Sequence, residues 1–263
     1  MKRIGLIALT DKGFLLGEKI ATEYSNVDLL TIKERQNWNS QWDNLSSLVK
    51  ESFNKYDGLI FIMALGIVVR MIKDSIKSKD VDPGIIVIDE NGENTISVLS
   101  GHLGGGNKLT KEVAEFLNSN PVITTATDVN KIYALDSFAS DYDLNIEPVK
   151  NIKLFNSALL NGNNIELILD ESIDFPGKNK FKNLFSTSSL KGYITNKEFS
   201  FNKTDIFLRP KNIIIGVGCK KNFPKDIFEK NIINTLKELN ISLKSVKEIR
   251  SIQLKSEEEC IKN

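Results

Sequence analysis

The sequence predicts an α/β protein with a mostly parallel, doubly wound N-terminal sheet, a small α/β middle domain and a partial C-terminal α/β domain. Short apolar runs without polar alternation recur through the first 130 residues, which is typical of strands buried on both faces. Segments with helical periodicity separate these runs, as in a parallel sheet with crossover helices. From about Lys131 the periodicity weakens, and a new strand and glycine turn follow Pro210. We therefore expect domains at 1–130, 131–210 and 211–263, the last being the start of a truncated C-terminal domain.

The first domain should contain six strands, because six short apolar runs are separated by polar or helical segments. The strand at 95–99 follows a Glu90-Asn91-Gly92 turn and should pair back on the preceding strand as a hairpin. Helices are expected after the first strand, at 42–53, after Gly66, and after the glycine-rich segment, where Leu109 and Val113 begin an apolar face. The predicted strands are 4–9, 27–30, 59–63, 84–88, 95–99 and a last one beginning at 121.

The remaining chain gives weaker signals. Helical patterns at 132–140 and 149–160 surround a short strand at 165–169, and residues 172–210 show little periodicity. A strand at 212–215 ends in the turn from Gly216 to Cys219, and Glu257 to Glu259 suggest that another helix opens there. A helix between that turn and Glu257 is indicated by the spacing of four apolar residues, Phe228, Ile232, Leu236 and Leu239.

Composition excludes several classes of protein. The formal net charge of +1 predicts neither nucleic-acid nor membrane binding, and no apolar run reaches the roughly 20 residues of a membrane span. Two cysteines, Cys219 and Cys260, are too few for a disulfide scaffold or a cysteine zinc site. The basic-then-apolar start is interpreted as a strand and not as a signal peptide, so we expect a cytoplasmic protein. We expect Cys219 to be a small buried residue, with an activated thiolate as the alternative.

The glycine-rich segment from Ser97 to Asn107 is the strongest candidate site. A strand breaks at Ser100 and Gly101, and Gly104, Gly105 and Gly106 lead into a helix, whose first N–H groups can bind an anion. Neither the P-loop pattern nor the dinucleotide fingerprint is present. In a doubly wound sheet, ligands bind at the carboxyl ends of the strands. Polar or glycine-bearing ends of that kind are expected at Thr10, Gly66, Ser100 and Thr124.

His102 is the only histidine, so any imidazole chemistry must use it. Its ordinary pKa near 6.5 suits a general base, whereas a packed or surface histidine is the alternative. Asp128 or Ser100 would orient the ring, although Asp128 could instead cap the following helix. Arg70 could hold a substrate carboxylate in a bidentate pair or form a surface salt bridge. One histidine without a cysteine pair makes a protein metal site unlikely to form, and we expect none.

Several motifs, in this order and spacing, resemble the CbiG family, the cobalt-precorrin-5A hydrolases of anaerobic cobalamin biosynthesis. The most specific is Leu-Ser-Gly-His-Leu-Gly-Gly-Gly-Asn at 99–107, and the Gly-Val-Gly-Cys-Lys-Lys turn at 216–221 resembles the opening of the family's C-terminal domain. The other matching segments are Ala-Leu-Gly-Ile-Val-Val-Arg at 64–70, Asp-Pro-Gly at 82–84 with 87–92, and Pro-Val-Ile-Thr-Thr-Ala-Thr-Asp at 121–128.

The resemblance implies a hydrolase that opens the ring A δ-lactone of cobalt-precorrin-5A and releases C20 with its methyl group as acetaldehyde, giving cobalt-precorrin-5B. It implies no protein cofactor, because cobalt is carried by the tetrapyrrole substrate. We expect His102, Asp128 and Ser100 to be catalytic. The expected substrate-binding residues are Gly66, Arg70, Gly101, Gly104, Gly105, Gly106, Asn107, Thr125 and Thr127.

The sequence leaves two alternative functions and the binding partners open. The chain could be a non-catalytic protein that binds corrinoid intermediates, or a nucleotide-binding α/β enzyme with the same kind of sheet. A homodimer and contacts with neighbouring cobalamin-pathway enzymes are further partners to be considered, whereas nucleic acid and membrane are not expected. The glycine loop would then serve as an anion or oxyanion site in the hydrolase, and as a phosphate site in the nucleotide-binding alternative.

Overall fold

A computed structural model describes residues 3–31, 44–79, 81–174, 190–200, 202–255 and 257–261. The chain divides into two compact units, Met1–Ile132 and Tyr133–Asn263. Within the described ranges, no helix is long and apolar enough to cross a membrane.

The first unit contains six strands and five helices in its described residues. The strands are β1 Ile4–Ala8, β2 Val27–Leu30, β3 Gly58–Ile62, β4 Gly84–Ile88, β5 Asn94–Leu99 and β6 Asn120–Val122. The helices are α1 Asp11–Glu23, α2 Leu45–Lys55, α3 Leu65–Ile72, α4 Gly106–Leu117 and α5 Ala126–Val129. The helix predicted at 42–53 is α2, and the part of that prediction before residue 44 lies outside the described residues.

The six strands form one sheet in the order β2-β1-β3-β4-β5-β6. The first four are mutually parallel, and β4 and β5 form the predicted antiparallel hairpin with Ile88 opposite Thr95 and Ile85 opposite Leu99. Strand β6 runs parallel to β5, so both point against the other four. The mostly parallel sheet is thus confirmed.

The direction of β5 and β6 corrects one expectation about the site. Thr10 and Gly66 follow the carboxyl ends of parallel strands, but Ser100 and Thr124 follow strands that run the other way. The four predicted strand ends therefore lie at two opposite edges of the sheet. Ser100 lies beside Gly84, where β4 begins, because Leu99 pairs with Ile85.

The sheet is covered on both faces, as the doubly wound prediction requires. Strands β3 and β4 are buried along their whole length. One core joins them to α2 and α3 through residues such as Phe53 and Val68, and a second core joins them to α1 and α4 through Phe14 and Val113. Alternate side chains of each strand point to opposite faces, so one continuous apolar run supplies both cores.

In its described residues, the second unit contains two smaller sheets. The four-stranded sheet has the order β7-β10-β9-β8, in which only the β7–β10 pair is antiparallel, and β11 pairs with β12 in parallel. The strands are β7 Leu144–Glu147, β8 Glu166–Leu169, β9 Lys191–Ile194, β10 Ile206–Pro210, β11 Ile213–Gly216 and β12 Val246–Arg250. The helices are α6 Leu135–Asp141, α7 Ile152–Leu160 and α8 Lys225–Glu238, with short 3₁₀ turns at 149–151, 243–245 and 253–255.

Here the sequence predictions were less complete. The strand at 165–169 is β8 and the strand at 212–215 is β11, but β7, β9, β10 and β12 were not predicted. The helix expected to open at Glu257 is wrong, because residues 257–261 form turns. Each missed strand has only four or five residues, too few to show a clear period.

Candidate active site

The loop between β5 and α4 is held tightly against the start of β4. Ser100 has a positive φ of 50° and Gly105 has a φ of 80°, so the chain reverses sharply at both ends of the loop. A Cβ at Gly104 would lie 2.4 Å from the Ser100 Cβ and 2.9 Å from the Gly84 nitrogen, closer than real Cβ contacts allow. A glycine is needed at this position because the loop backbone packs directly on the backbone of β4.

Carbonyl groups of the loop also accept hydrogen bonds from the first N–H groups of α4. The N–H of Gly106 donates to the Ser100 oxygen at 3.1 Å, and that of Asn107 donates to the Gly101 oxygen at 2.8 Å. The Gly105 N–H donates to the His102 oxygen at 3.0 Å. The predicted anion site formed by three glycine N–H groups therefore reduces to Gly104, whose N–H makes no hydrogen bond within the described ranges.

His102 and Asp128 form the predicted imidazole–carboxylate pair. The His102 Nε2 lies 2.8 Å from the Asp128 Oδ2, and the two side chains are only 9% and 18% exposed. Thr127 places its Oγ1 3.5 Å from the same ring nitrogen. Because an ionised carboxylate only accepts hydrogen bonds, Nε2 carries the proton and the lone pair of the neutral ring is on Nδ1. Asp128 thus fixes both the orientation and the tautomer of the ring.

Two further donors hold Asp128. Asn107 Nδ2 donates to Oδ2 at 2.8 Å, and the Lys111 ammonium group donates to Oδ1 at 2.9 Å. Burial alone would raise the pKa of the Asp128 carboxyl, but the hydrogen bonds and charges of Lys111 and His102 outweigh it and leave that pKa below its ordinary value. Asp128 is therefore ionised beside the imidazole at neutral pH.

Asn107 links this pair to the sheet and is buried. Its Oδ1 accepts a hydrogen bond from the Ser97 hydroxyl at 2.6 Å, and its Nδ2 also donates to the Thr125 hydroxyl at 3.1 Å. The Gly101 backbone lies directly over this amide, since a Cβ there would be 2.5 Å from the Asn107 Oδ1. Both the Oδ1 and the Nδ2 of Asn107 are engaged in these hydrogen bonds, so its role is to position Asp128.

The structure brings most of the predicted site residues together, but it places Gly66 and Arg70 elsewhere and gives the Ser100 hydroxyl no hydrogen bond to His102. The Ser100 hydroxyl is buried without a hydrogen-bond partner in the described part of the chain, so it does not orient His102. Gly66 lies at the opposite edge of the sheet, beside the carboxyl end of β3, and Arg70 Nη1 donates to its carbonyl oxygen at 3.0 Å. The residues that do meet around the imidazole–carboxylate pair are Gly101, Gly104, Gly105, Gly106, Asn107, Thr125 and Thr127.

Two residues of the network were not predicted. Lys111 follows Asn107 by four positions on α4, so both lie on the same helix face and reach the same carboxylate. That spacing was available in the sequence. Ser97 gave no comparable signal, because its contact with Asn107 depends on how the loop turns between β5 and α4.

A cavity of about 370 Å³ adjoins the glycine loop. Leu103 and Gly104 form one wall, and the end of α2 together with the residues that precede β3 and β4 form the others. Polar groups dominate the lining, which includes Asp57, Lys77 and the buried carboxylate of Asp82. Among the described residues of the whole chain, no cluster of three or more histidine, cysteine, aspartate or glutamate side chains could hold a metal ion.

Comparison with known proteins defines the class to which this fold and site belong. Three family models match the chain in succession: "Cobalamin synthesis G N-terminal" at residues 47–128, "Cobalamin biosynthesis central region" at 133–210 and "Cobalamin synthesis G C-terminus" at 213–263. This is therefore an α/β protein of cobalamin synthesis.

Curated relatives narrow the class to one family. A cobalt-precorrin-5A hydrolase of Priestia megaterium is 32% identical over 97% of this chain and 75% of its own length. The protein of the same name from Salmonella typhimurium is 30% identical over 97% of this chain and 76% of its own. The chain belongs to the cobalt-precorrin-5A hydrolase family, as its motifs indicated.

A solved structure described as a putative cobalamin biosynthesis protein G homolog from Sulfolobus solfataricus also matches, with 24% identity and a TM-score of 0.49 over 97% of this chain and 75% of that one.

Proposed function

We propose that the chain is a cobalt-precorrin-5A hydrolase of anaerobic cobalamin biosynthesis. In this reaction water opens the ring A δ-lactone, and C20 leaves with its methyl group as acetaldehyde. The observation that carries the proposal is the contact of His102 Nε2 with Asp128 Oδ2 at 2.8 Å, which joins the most family-specific motif at 99–107 to the matching segment at 121–128. Membership in the hydrolase family supports the same reaction.

His102 is the general base in this proposal. Lactone opening requires a water that loses a proton as it attacks the carbonyl carbon, and an imidazole accepts that proton near neutral pH. The resulting imidazolium is stabilised by Asp128, which stays ionised because Lys111 and His102 lower its pKa. A carboxylate that both orients the ring and stabilises its charged form is the arrangement used in hydrolytic triads.

The carbonyl oxygen of the lactone becomes an oxyanion during attack and needs a hydrogen-bond donor. The Gly104 N–H is the donor that we assign, because those of Gly105 and Gly106 already bind carbonyl oxygens of the loop. Gly104 also borders the cavity of about 370 Å³, which would receive the lactone end of the macrocycle. Lys111, with a 61% exposed side chain, is placed to attract a peripheral carboxylate of the substrate.

The remaining expectations are part of the same proposal. The enzyme would need no cofactor of its own, since cobalt enters with the substrate, and it would act in the cytoplasm on a small tetrapyrrole. Gly66 and Arg70 lie at the far edge of the sheet, so we assign them no contact with the lactone. A homodimer and contacts with neighbouring pathway enzymes also remain proposals.

The glycine loop argues against the nucleotide-binding alternative. A phosphate at the start of α4 would need the N–H groups of Gly106 and Asn107, and both donate to carbonyl oxygens within the loop. Binding of phosphate there would break those two bonds.

The decisive experiment is anaerobic incubation of the full chain with cobalt-precorrin-5A, with acetaldehyde trapped and quantified and the tetrapyrrole product identified by mass. Catalytic release of one acetaldehyde per product would support the hydrolase. A spectral shift of bound corrinoid without release would indicate a binding protein, and thermal stabilisation by ATP alone would favour a nucleotide-binding enzyme.

A further inference from the structure

The only two cysteines of the sequence lie side by side in the second unit. Cys219 and Cys260 are 41 positions apart in the sequence, yet their Sγ atoms are separated by 3.6 Å. Cys260 is buried with 4% of its surface exposed, whereas Cys219 is half-buried and reachable from solvent. The two sulfurs are in van der Waals contact, and formation of a bond would require them to approach by about 1.5 Å.

Other contacts hold the two cysteine-bearing segments together independently of the sulfurs. The Val217 N–H donates to the Arg250 oxygen at 2.8 Å, and the Ser251 hydroxyl donates to the Val217 oxygen at 2.9 Å. Beyond Cys219, the Asn222 N–H donates to the Glu258 carboxylate at 2.9 Å. The bonds of Val217 fix the turn after β11 on the end of β12, and the bond from Asn222 to Glu258 joins the same turn to the segment that carries Cys260, so the thiol pair is built into the fold.

We propose that Cys219 and Cys260 form a reversible intramolecular disulfide, with a low-molecular-weight disulfide such as oxidised glutathione as the oxidant. This assigns a redox site to a part of the chain that has no role in the hydrolase mechanism. The site joins the turn after β11 covalently to the segment at 257–261, across 41 residues of sequence.

The two steps of the exchange balance without any further reagent. The Cys219 thiol loses a proton, and its thiolate attacks one sulfur of the oxidant, forming a mixed disulfide and releasing one glutathione thiolate. The Cys260 thiol then loses its proton and attacks the Cys219 sulfur, which expels the second glutathione thiolate. Both thiolates that leave take up these protons, so two cysteine thiols are oxidised and one glutathione disulfide is reduced to two thiols.

The order of the steps follows from exposure. Cys219 meets the oxidant first because Cys260 is enclosed by the protein. Burial, together with the contact with Cys219, raises the pKa of the Cys260 thiol, so Cys260 is poorly reactive until the mixed disulfide stands beside it. Cys219 also lines an apolar groove of about 550 Å³ between β11 and α8, which gives the oxidant access from that side.

The test uses the full chain in its native state. The protein is incubated with oxidised glutathione, freed of the reagent, denatured, treated with N-ethylmaleimide and measured as an intact mass. We expect the wild type to lose two hydrogen atoms and to accept no maleimide, and dithiothreitol to restore two maleimide sites. We also expect oxidation to raise the midpoint of thermal unfolding by roughly 5 °C, since a cross-link across a loop of this length restricts the unfolded chain.

Two single variants define the order of reaction. Cys260→Ser should retain one glutathione on Cys219, because the second thiol that expels it is missing. Cys219→Ser should react with the oxidant at least tenfold more slowly than Cys260→Ser. The proposal is overturned if the wild type keeps two maleimide sites after oxidation, retains glutathione, or forms cross-linked dimers. The wild-type result decides the matter even if a variant folds poorly.

Discussion

Two carboxylates, one in each unit, are held by several donors and yet serve different chemistry. Asp128 in the first unit accepts hydrogen bonds from His102, Asn107 and Lys111. Glu147 in the second unit accepts from the Arg209 Nε at 2.6 Å and from the Ser242 hydroxyl at 3.2 Å. The two networks differ in the basic side chain that is buried beside the carboxylate, which is His102 in the first unit and Arg209 in the second.

Arg209 is a permanently charged and almost fully enclosed partner. Its side chain is 3% exposed, its Nη1 donates to the carbonyl oxygens of Thr195 and Lys197, and its guanidinium stacks over the Phe207 ring at 4.2 Å. A guanidinium cannot give up its proton near neutral pH, so this network holds strands together and moves no proton.

The imidazole of His102 differs in this respect. Imidazole, unlike guanidinium, is a side chain that can accept and release a proton in catalysis, and the tight glycine loop holds that of His102 beside Asp128. The comparison teaches that donor counts alone do not identify a functional site. A carboxylate paired with an imidazole can support catalysis, whereas one held by arginine is a structural anchor.

The largest effect should come from His102→Ala. We expect acetaldehyde release to fall by about 10²–10⁴-fold, since the variant removes the general base. The free energy of unfolding should fall by only about 1–2 kcal/mol, the cost of leaving the Asp128 carboxylate with one donor fewer. The measurements are steady-state acetaldehyde release and urea unfolding of the same preparations. Normal turnover in a folded variant would contradict the role of His102 as the base.

Arg209→Met should have the opposite profile. It removes the charge that neutralises Glu147 while keeping much of the side-chain volume, so we expect the free energy of unfolding of the second unit to fall by about 3 kcal/mol. The matched control is Lys211→Met, because Lys211 pairs with Asp143 at 2.8 Å on the exposed surface and such pairs contribute about 0–1 kcal/mol. Equal losses in the two variants would show that Arg209 is no anchor.

Much of the first unit was predictable because its strands and helices carry strong periods. The continuous apolar runs of β1, β3 and β4 indicated a parallel sheet, and the polar turn at 90–92 indicated the hairpin. That hairpin already implies that β5 runs against β4 and ends at the opposite edge of the sheet. The parallel pairing of β6 with β5, which brings Asp128 to the same edge, was not predictable from local patterns.

The residues of the site could be predicted from the sequence, but the backbone hydrogen bonds that shape it could not. A lone histidine in a glycine loop and an aspartate after Thr127 suggested the pair that the structure shows at 2.8 Å. The closing of the α4 start by the Ser100 and Gly101 carbonyls could not be derived from residue types, because it depends on backbone dihedral angles. In the second unit, the short β10 pairs with β7, which is not its neighbour in sequence, so no local signal marks that pairing.

Gly104→Ala tests whether tight packing of the loop supports the first network. The added methyl group would meet the Ser100 Cβ at 2.4 Å and the backbone of Gly84, neither of which can move freely. We expect a loss of about 2 kcal/mol in the free energy of unfolding. Gly216→Ala is the control, because no atom of the described residues lies within 4 Å of its added Cβ, and it should change that free energy by less than about 0.5 kcal/mol. Equal tolerance of both changes would contradict the packing argument.

The smallest effect should come from Lys111→Gln, which leaves His102 and Asn107 as the remaining donors to Asp128. Lys111 helps to lower the Asp128 pKa below its ordinary value of 3.8, so between these values the unfolded chain binds more protons than the native one. The associated stability is present above the ordinary value and is lost as the pH falls through the lowered one. We expect the variant to be less stable by under about 1 kcal/mol at about pH 6, with a smaller difference at about pH 3.

The matched control is Lys108→Gln on the same helix, since Lys108 forms an exposed surface pair with Glu112 at 3.9 Å and does not contact Asp128. Urea unfolding of both variants and the wild type at the two pH values separates loss of a surface charge from loss of the Asp128 contact. If Lys108→Gln and Lys111→Gln show the same pH dependence, Asp128 does not depend on Lys111 for its ionisation. A difference confined to Lys111→Gln would instead show that an exposed lysine sets the charge state of a carboxylate that the histidine requires.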